Sequence, residues 1–236
     1  MKREIWVAML PFYLLVAIVV IGIAKAGSQT VTVISEKQPF EREHIFVIDA
    51  GHGYPDGGAT SCTGVLESTI NLQIAMRLND LMHFLGVETV MTRTTDESIF
   101  TEGESIGAKK VSDLKERVRI VNETPNAILI SIHQNTFPDS RYGGPQVLYA
   151  PDEESRGLAS SVQTALKNAL DPLSKRVAKK ASGVYLMEHI DQTGILVECG
   201  FLSNPEEETK LQSETYQKQL CCVIASSVSS FLSPSR

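Results

Sequence analysis

Short apolar runs alternate with amphipathic stretches along most of this chain. Six of the runs have the length and the content of Val, Ile and Leu that are typical of β-strands. Because buried parallel strands are apolar on both faces, such runs indicate a sheet that is covered on both sides. The predicted strands cover His44–Ala50, Val87–Arg93, Ala127–His133, Pro145–Ala150, Gly183–His189 and Gly194–Glu198.

Helical periodicity is present in three of the other segments. One apolar stripe begins at Ile70, a second covers Leu158–Ala169 and a third covers Tyr216–Phe231. The segment Thr94–Ala108 is rich in Gly, Ser, Thr and acidic residues, and we interpret it as a long loop. The alternation of strands and helices predicts the α/β class, as a three-layer domain with a mostly parallel sheet.

The N-terminal residues form a separate apolar segment. The run Ile5–Ala24 has no charged residue and is about as long as the ~20 residues of a membrane-spanning helix. Lys2 and Arg3 precede it, which places the N-terminus in the cytoplasm and the rest of the chain outside. Residues 1–26 are therefore either a signal peptide, with a cleavage motif at Ala24-Lys25-Ala26, or an uncleaved membrane anchor. Both interpretations predict an exported protein.

Residues 27–43 are polar and aperiodic, and they predict a tether ahead of a single domain at residues 44–236. Without residues 1–26, the chain has 19 basic and 27 acidic residues. Such an acidic domain lacks the basic surface of a nucleic-acid-binding protein, so we expect no nucleic acid partner.

Four cysteines are present, and none has the paired spacing of a structural zinc site. We expect them to be ordinary side chains, although an exported protein could pair them in disulfides. They are Cys62, Cys199, Cys221 and Cys222.

Side chains that bind metals follow three of the predicted strands. The first strand runs into Gly51-His52-Gly53, the third ends at His133 and the sixth ends at Glu198. Glu67 lies at the mouth of a helix predicted to begin near Ser68. Because ligands of open α/β sheets bind beyond the carboxyl ends of the strands, we expect these four side chains to converge on one edge.

Two histidines and a carboxylate form a recurring catalytic zinc set that leaves a fourth position open. We therefore predict Zn²⁺ bound by His52, Glu67 and His133. Glu198 would then be the base that takes a proton from water and gives it to the leaving amine. Each residue alone has a more ordinary interpretation, as a structural histidine or as a solvated carboxylate in the first turn of a helix. Only their coincidence favours a catalytic site.

Several sequence blocks together resemble one enzyme family. Their order and spacing over residues 45–232 are similar to those of the zinc-dependent N-acetylmuramoyl-L-alanine amidases of type 3. The blocks are Asp49-Ala50-Gly51-His52-Gly53, Glu67, Ser131-Ile132-His133-Gln134-Asn135 and Val197-Glu198-Cys199-Gly200-Phe201-Leu202-Ser203-Asn204.

The resemblance implies a six-stranded sheet flanked by helices. It also implies zinc bound by the residues at His52, Glu67 and His133, with the residue at Glu198 as the catalytic carboxylate. The implied reaction is hydrolysis of the amide between the lactyl group of N-acetylmuramic acid and L-alanine in peptidoglycan.

Within that family, the small size and the N-terminal apolar segment resemble the germination-specific amidases of spore-forming bacteria. The segment Lys175-Arg176-Val177-Ala178 adds to this likeness. It implies a role in the spore cortex, where removal of the stem peptides lets muramic-δ-lactam form.

Two departures from the family pattern are Tyr54, where glycine is common, and Thr193-Gly194, where Pro-Ala is frequent. Both leave the proposed ligands in place.

Three further residues have a weaker signal. Asn135, two residues after His133, could orient a ligand or bind substrate. His189 ends the fifth predicted strand, so we expect it on the functional edge, where it could contact substrate. Asp56 in Pro55-Asp56-Gly57-Gly58 is interpreted as a turn residue.

The main alternative is a protein that binds peptidoglycan or a partner without catalysis. It would predict the loss of Glu198 or of a metal ligand, and all four residues are present. The sequence shows no module for wall binding, so we expect help from a membrane anchor or from an activating or recruiting protein at the membrane.

Overall fold

The structure, a computed structural model, describes residues 44–232. The segments predicted as a signal peptide or anchor and as a tether, residues 1–26 and 27–43, lie outside the described residues. The strands are β1 (Ile45–Ala50), β2 (Thr89–Met91), β3 (Ala127–Asn135), β4 (Gln146–Tyr149), β5 (Lys179–Lys180) and β6 (Thr193–Phe201).

The six described strands form one sheet in the order β2-β1-β3-β6-β4-β5. β1 pairs in parallel with β2 and β3, and β3 pairs in parallel with β6. β4 runs antiparallel to β6, and β5 runs parallel to β4. The predicted six-stranded, mostly parallel sheet is therefore confirmed.

Helices cover both faces of the sheet. They are α1 (Glu67–Phe84), α2 (Ile106–Glu123), α3 (Glu153–Leu170), α4 (Tyr185–His189), α5 (Pro205–Gln212) and α6 (Glu214–Leu232). Of these helices, all within residues 44–232, none combines the length and the apolar character that crossing a membrane requires.

The three layers follow from the alternation of side chains along the strands. Phe46 and Ile48 of β1 belong to a large apolar cluster with buried residues of α1, α3 and α6. Val47, between them, belongs to a second cluster that includes Val121 of α2 and Met187 of α4. The sheet is therefore buried on both faces, as its apolar strands predict.

One predicted strand is wrong. The segment predicted as a strand over Gly183–His189 contains the short helix α4, and only Leu186 and Met187 of that helix are buried. The fifth strand is instead Lys179–Lys180, whose two side chains are exposed. An exposed strand of two lysines has no apolar pattern, so no residue pattern predicts it.

The predicted helices do not include α2, although Val111, Leu114, Val118 and Val121 recur there at helical spacing. Of these four residues only Val121 is buried, and the other buried residues of the helix are polar: Ser112, Asp113 and Arg117. Ser105 caps its N-terminus by accepting a hydrogen bond from the backbone N–H of Ala108. The predicted loop over 94–108 therefore ends at Ser105.

The four cysteines are free in this structure. Cys199 and Cys221 are buried in the core, and Cys62 and Cys222 are exposed.

Candidate active site

The carboxyl ends of β1, β3 and β6 meet at one edge of the sheet, which we call the carboxyl edge. His52 follows β1 by two residues, and its backbone has a positive φ of 62°. His133 of β3 and Glu198 of β6 are directly paired in the parallel register. Glu67 is the first residue of helix α1. The fold thus brings these four residues to the carboxyl edge.

Glu67 lies between the two histidines. Its Oε2 is 3.3 Å from His52 Nε2, and its Oε1 is 3.0 Å from His133 Nδ1. One ligand atom from each of the three side chains lies within 4.8 Å of the others, a spacing that suits a shared metal ion. The two imidazole rings approach edge to face, with centroids 5.0 Å apart.

Neighbouring hydrogen bonds fix the orientation of the Glu67 carboxylate. The backbone N–H of Ala59 donates to Oε2 at 2.9 Å, and the N–H of Gln134 donates to Oε1 at 3.1 Å. Asn71, one turn along α1, donates to Oε1 from its side-chain amide at 3.2 Å. A carboxylate bonded in this way needs no rearrangement of its rotamer to bind a cation.

The ionisation of these groups reflects their packing. Burial raises the pKa of Glu67, but the hydrogen bonds and charges of His133 and His52 outweigh burial and keep that pKa well below its ordinary value. Burial lowers the pKa of His52, but the bonds and charges of Glu67 and then Asp56 raise it above its ordinary value overall. The Glu67 carboxylate is thus anionic, and a metal cation can bind it in place of the protons on the two imidazoles.

Two glycines make room for this arrangement. A Cβ on Gly51 would lie 2.2 Å from Nε2 of His133, so the imidazole packs directly on the backbone there. A Cβ on Gly58, where φ is +69°, would lie 2.6 Å from Oε2 of Glu67. Larger residues at these positions would push the ligands apart.

Asp56 supports His52 from the side opposite Glu67. Its Oδ2 is 3.0 Å from His52 Nδ1, and Lys110 Nζ lies 2.9 Å from the same oxygen. Its Oδ1 also accepts a hydrogen bond from the backbone N–H of Gly58. Asp56 therefore has the predicted turn role in addition to its contact with His52. A carboxylate on the far nitrogen fixes the tautomer of a metal-binding imidazole.

Two buried arginines bind the backbone of the loop that carries His52. Arg117 donates to the carbonyls of Ala50 and His52 at 2.8 and 2.7 Å. Arg93 donates to the carbonyls of Ala50 and Gly51 at 2.8 and 3.0 Å. The sequence places both arginines in segments that resemble intervening blocks of the amidase family, but it predicts no role for either of them.

The charge of Arg117 is balanced by Asp49 and Asp113, with which it forms buried ion pairs. Burial raises the pKa of Asp49, but the Arg117 charge and hydrogen bonds from Ser131 and Thr92 bring it down to about 2. This buried polar cluster explains why the inner face of α2 is not apolar.

Glu198 is the fourth residue of the predicted set. Within residues 44–232 its Oε2 is buried and has no hydrogen-bond partner. Burial raises the pKa of its carboxyl above the ordinary value, an effect that the positive charges of His133 and His52 partly oppose. A carboxyl that holds its proton more readily than an exposed one is suited to take and give a proton during a reaction.

The remaining two predicted residues have different positions. Asn135 ends β3, and its side-chain oxygen accepts from the N–H of Thr136 rather than from a ligand. His189 stacks on Tyr185, and its carbonyl accepts a hydrogen bond from Asn122. Since Asn122 precedes β3 and His189 precedes β6, His189 lies at the amino ends of these strands, away from the carboxyl edge. The structure does not bring it to the other site residues.

Comparison with known proteins agrees with this arrangement. Residues 46–230 match the Amidase_3 family, described as N-acetylmuramoyl-L-alanine amidase. The chain belongs to this amidase family. A similar curated relative is the germination-specific N-acetylmuramoyl-L-alanine amidase of Bacillus subtilis (strain 168). The two are 35% identical over 182 residues, which is 76% of each chain.

Solved structures are similar to this amidase over its described domain. The CwlD amidase from Clostridioides difficile, in complex with the GerS lipoprotein, has a TM-score of 0.77 and 33% identity, and the match covers 81% of this chain and 98% of that one. The N-acetylmuramoyl-L-alanine amidase from Clostridium difficile 630 has a TM-score of 0.69 and 30% identity, with 82% and 98% coverage. The fold and the amidase activity of the family are thus those of this chain.

The donor set of this amidase fits the metal of its family. Members of the family are generally zinc-dependent, and this chain has two imidazoles and one carboxylate within 4.8 Å. Three such ligands with an open fourth position are typical of catalytic zinc.

Proposed function

We propose that this amidase binds Zn²⁺ through His52, Glu67 and His133 and hydrolyses the amide between N-acetylmuramic acid and L-alanine in peptidoglycan. The observation that carries the proposal is the Glu67 carboxylate, which lies between the two imidazoles. When bound, zinc acts as a Lewis acid that polarises the scissile carbonyl and makes an attacking water more acidic.

Glu198 is the proton carrier of the proposed reaction. Its carboxylate takes a proton from the attacking water while the oxygen forms a bond to the carbonyl carbon. The carbon–nitrogen bond then breaks, and Glu198 gives the proton to the nitrogen of L-alanine. Two features support this role: the pairing of Glu198 with His133 in the sheet and the absence of a partner for its Oε2 within the described residues.

The test is digestion of purified peptidoglycan by the full chain with zinc, followed by mass spectrometry of the products. We expect stem peptides that begin at the free amino group of L-alanine. The Glu198→Gln variant should keep its zinc and lose about 10²–10⁴-fold in rate. The exposed Glu206→Gln change is the matched control. Wild-type cleavage by a zinc-bound Glu198→Gln protein would contradict the assigned role.

We further propose that the reaction serves the spore cortex and prepares muramic acid for closure to the δ-lactam. The 35% identity to a relative named for germination supports this role. The test is expression of this chain in a Bacillus subtilis strain that lacks its germination-specific amidase. Cortex muropeptides should regain muramic-δ-lactam with the wild-type chain, and they should lack it with the Glu198→Gln variant.

A protein partner outside the membrane is the last part of the proposal. The related CwlD amidase was solved in complex with a lipoprotein, GerS, which supports a membrane-attached partner for this chain as well. A candidate lipoprotein from the same genome should raise the rate of the purified full chain on peptidoglycan. An unchanged rate with every lipoprotein that binds the chain would contradict this part.

A further inference from the structure

A groove of about 500 Å³ is lined by more basic than acidic residues, although the domain as a whole is acidic. Its volume lies within the range of ~300–1,000 Å³ that is typical of small-ligand sites. We call it the basic groove. Its lining includes Tyr142, Gln146, Asp171, Lys175, Arg176 and Lys179.

The basic groove begins one strand away from Glu198. Gln146, at the start of β4, is paired with Glu198 of β6 in the antiparallel register. His133 is paired with Glu198 from the opposite neighbour, β3. The groove therefore lies on the side of Glu198 that faces away from the metal ligands.

A row of rings connects the end of β3 with the basic groove. The ring centroids of Phe137 and Tyr142 are 4.4 Å apart, and those of Tyr142 and Phe201 are 6.4 Å apart. The Arg176 guanidinium lies 5.0 Å over the ring of Phe201, and it donates to the carbonyl of Gly143 at 3.0 Å. These contacts give the groove a fixed wall, so a ligand would meet a formed surface.

Two basic side chains of the groove have no partner among the described residues. In the described part of the chain, the exposed side chains of Lys175 and Lys179 form no salt bridge and no hydrogen bond. Arg176 donates hydrogen bonds to the backbone carbonyl of Gly143, and Asp171 is the acidic residue of the lining. The groove therefore presents unpaired ammonium groups, which favour an anionic ligand.

We propose that the basic groove binds the stem peptide on the leaving side of the scissile bond, and that Lys175 and Lys179 bind the free carboxylate of the residue that follows L-alanine. This inference rests on the proposed function, because Glu198 protonates the nitrogen of L-alanine and the groove adjoins Glu198. In peptidoglycan the following residue is D-glutamate, which carries that carboxylate, or D-isoglutamine, in which it is an amide. The groove thus selects between two natural forms of the wall.

The test compares two soluble substrates, N-acetylmuramoyl-L-alanyl-D-glutamate and N-acetylmuramoyl-L-alanyl-D-isoglutamine. We expect the full chain with zinc to favour the glutamate substrate by about tenfold in kcat/KM, mostly through KM, since each exposed ion pair contributes up to about fivefold. The Lys175→Ala/Lys179→Ala variant should reduce this preference to about twofold or less.

The matched control is Lys180→Ala. Successive residues of a strand point to opposite faces, and Lys180, unlike Lys179, does not line the groove. The control removes the same charge one residue away and should keep the preference. A wild-type chain without preference, or a double variant that keeps the wild-type preference, would overturn the inference and leave the amidase function intact.

Binding of the free dipeptides separates the two proposals. We expect L-alanyl-D-glutamate to bind the full chain more tightly than L-alanyl-D-isoglutamine in an NMR titration, and the double variant to lose the difference. If neither muramoyl substrate is cleaved by zinc-bound protein, the proposed function fails while this titration still decides the groove. Equal binding of both dipeptides to the wild-type chain would overturn the inference.

Discussion

Arg117 donates a hydrogen bond of 2.7 Å to the backbone carbonyl of His52, although 65 positions separate the two residues in the chain. Arg117 is only 2% exposed, and Asp49 and Asp113 balance its charge. The position of one proposed zinc ligand thus depends on a buried ion-pair cluster that binds the backbone of its loop. Supporting contacts of this kind orient metal ligands and affect metal affinity.

Replacement of Arg117 should therefore weaken the metal site. In Arg117→Lys the charge remains, but one ammonium cannot bond two carbonyls and two carboxylates at once. We expect zinc affinity to fall by about 10–100-fold, measured by chelator competition. We also expect the free energy of unfolding to fall by about 1–3 kcal/mol, because a buried acceptor is left without a donor.

The control for that change is Arg119→Lys, on the same helix. Arg119 is exposed and pairs with Glu116 and Glu123, so its replacement should leave zinc affinity unchanged. Equal zinc affinity of wild-type and Arg117→Lys proteins would show that the loop position does not depend on the arginine.

Gly51→Ala should disrupt the site by direct collision. The new Cβ would lie 2.2 Å from Nε2 of His133, closer than atoms can approach, so the imidazole must move. We expect loss of stoichiometric zinc in metal analysis, together with loss of amidase activity. Gly107→Ala is the matched control, since nothing lies within 4 Å of its added methyl group. That helical substitution should stabilise the fold by about 0.4–1 kcal/mol.

Asp56→Asn should weaken zinc binding without changing the local turn. The asparagine Oδ1 can still accept from the N–H of Gly58, but the negative charge beside His52 Nδ1 is lost. We expect about 10–100-fold weaker zinc binding by isothermal calorimetry. Asp139→Asn is the control, because Asp139 accepts a similar hydrogen bond from the N–H of Arg141. A calorimetric affinity equal to wild type would limit Asp56 to the turn.

Glu198 should make the stability of the metal-free protein depend on pH. Burial raises the pKa of Glu198 in the folded state above its pKa in the unfolded state. The stabilisation from this carboxyl is therefore present at pH values below the unfolded-state pKa and is lost as the pH rises through the folded-state pKa. Glutamine does not titrate. The free energy of unfolding of Glu198→Gln should therefore rise relative to wild type between acidic and neutral pH.

Urea unfolding at several pH values, with a chelator present, measures this difference. The exposed Glu206→Gln variant is the control and should follow the wild type at each pH. A constant difference between Glu198→Gln and wild type across the range would mean that burial does not perturb the Glu198 carboxyl.

The sequence by itself determined most of the sheet and the proposed ligand set. Strands β1, β3 and β6 contain apolar runs, and His52, His133 and Glu198 follow these runs in the sequence. Since parallel strands bring their carboxyl ends to one edge, chain order was sufficient to predict that these residues meet. The order and spacing of the sequence blocks also predict the family.

Only the tertiary structure decided which polar residues support the site. Arg117 and Asp113 lie on the buried face of α2, where an ion pair between Arg117 and the distant Asp49 takes the place of apolar contacts. The sequence also did not determine the position of His189, because a short apolar segment fits either a strand or a helix until its neighbours are known. Local pattern determines which segments are buried in apolar surroundings, whereas buried charges depend on partners that only the folded chain brings together.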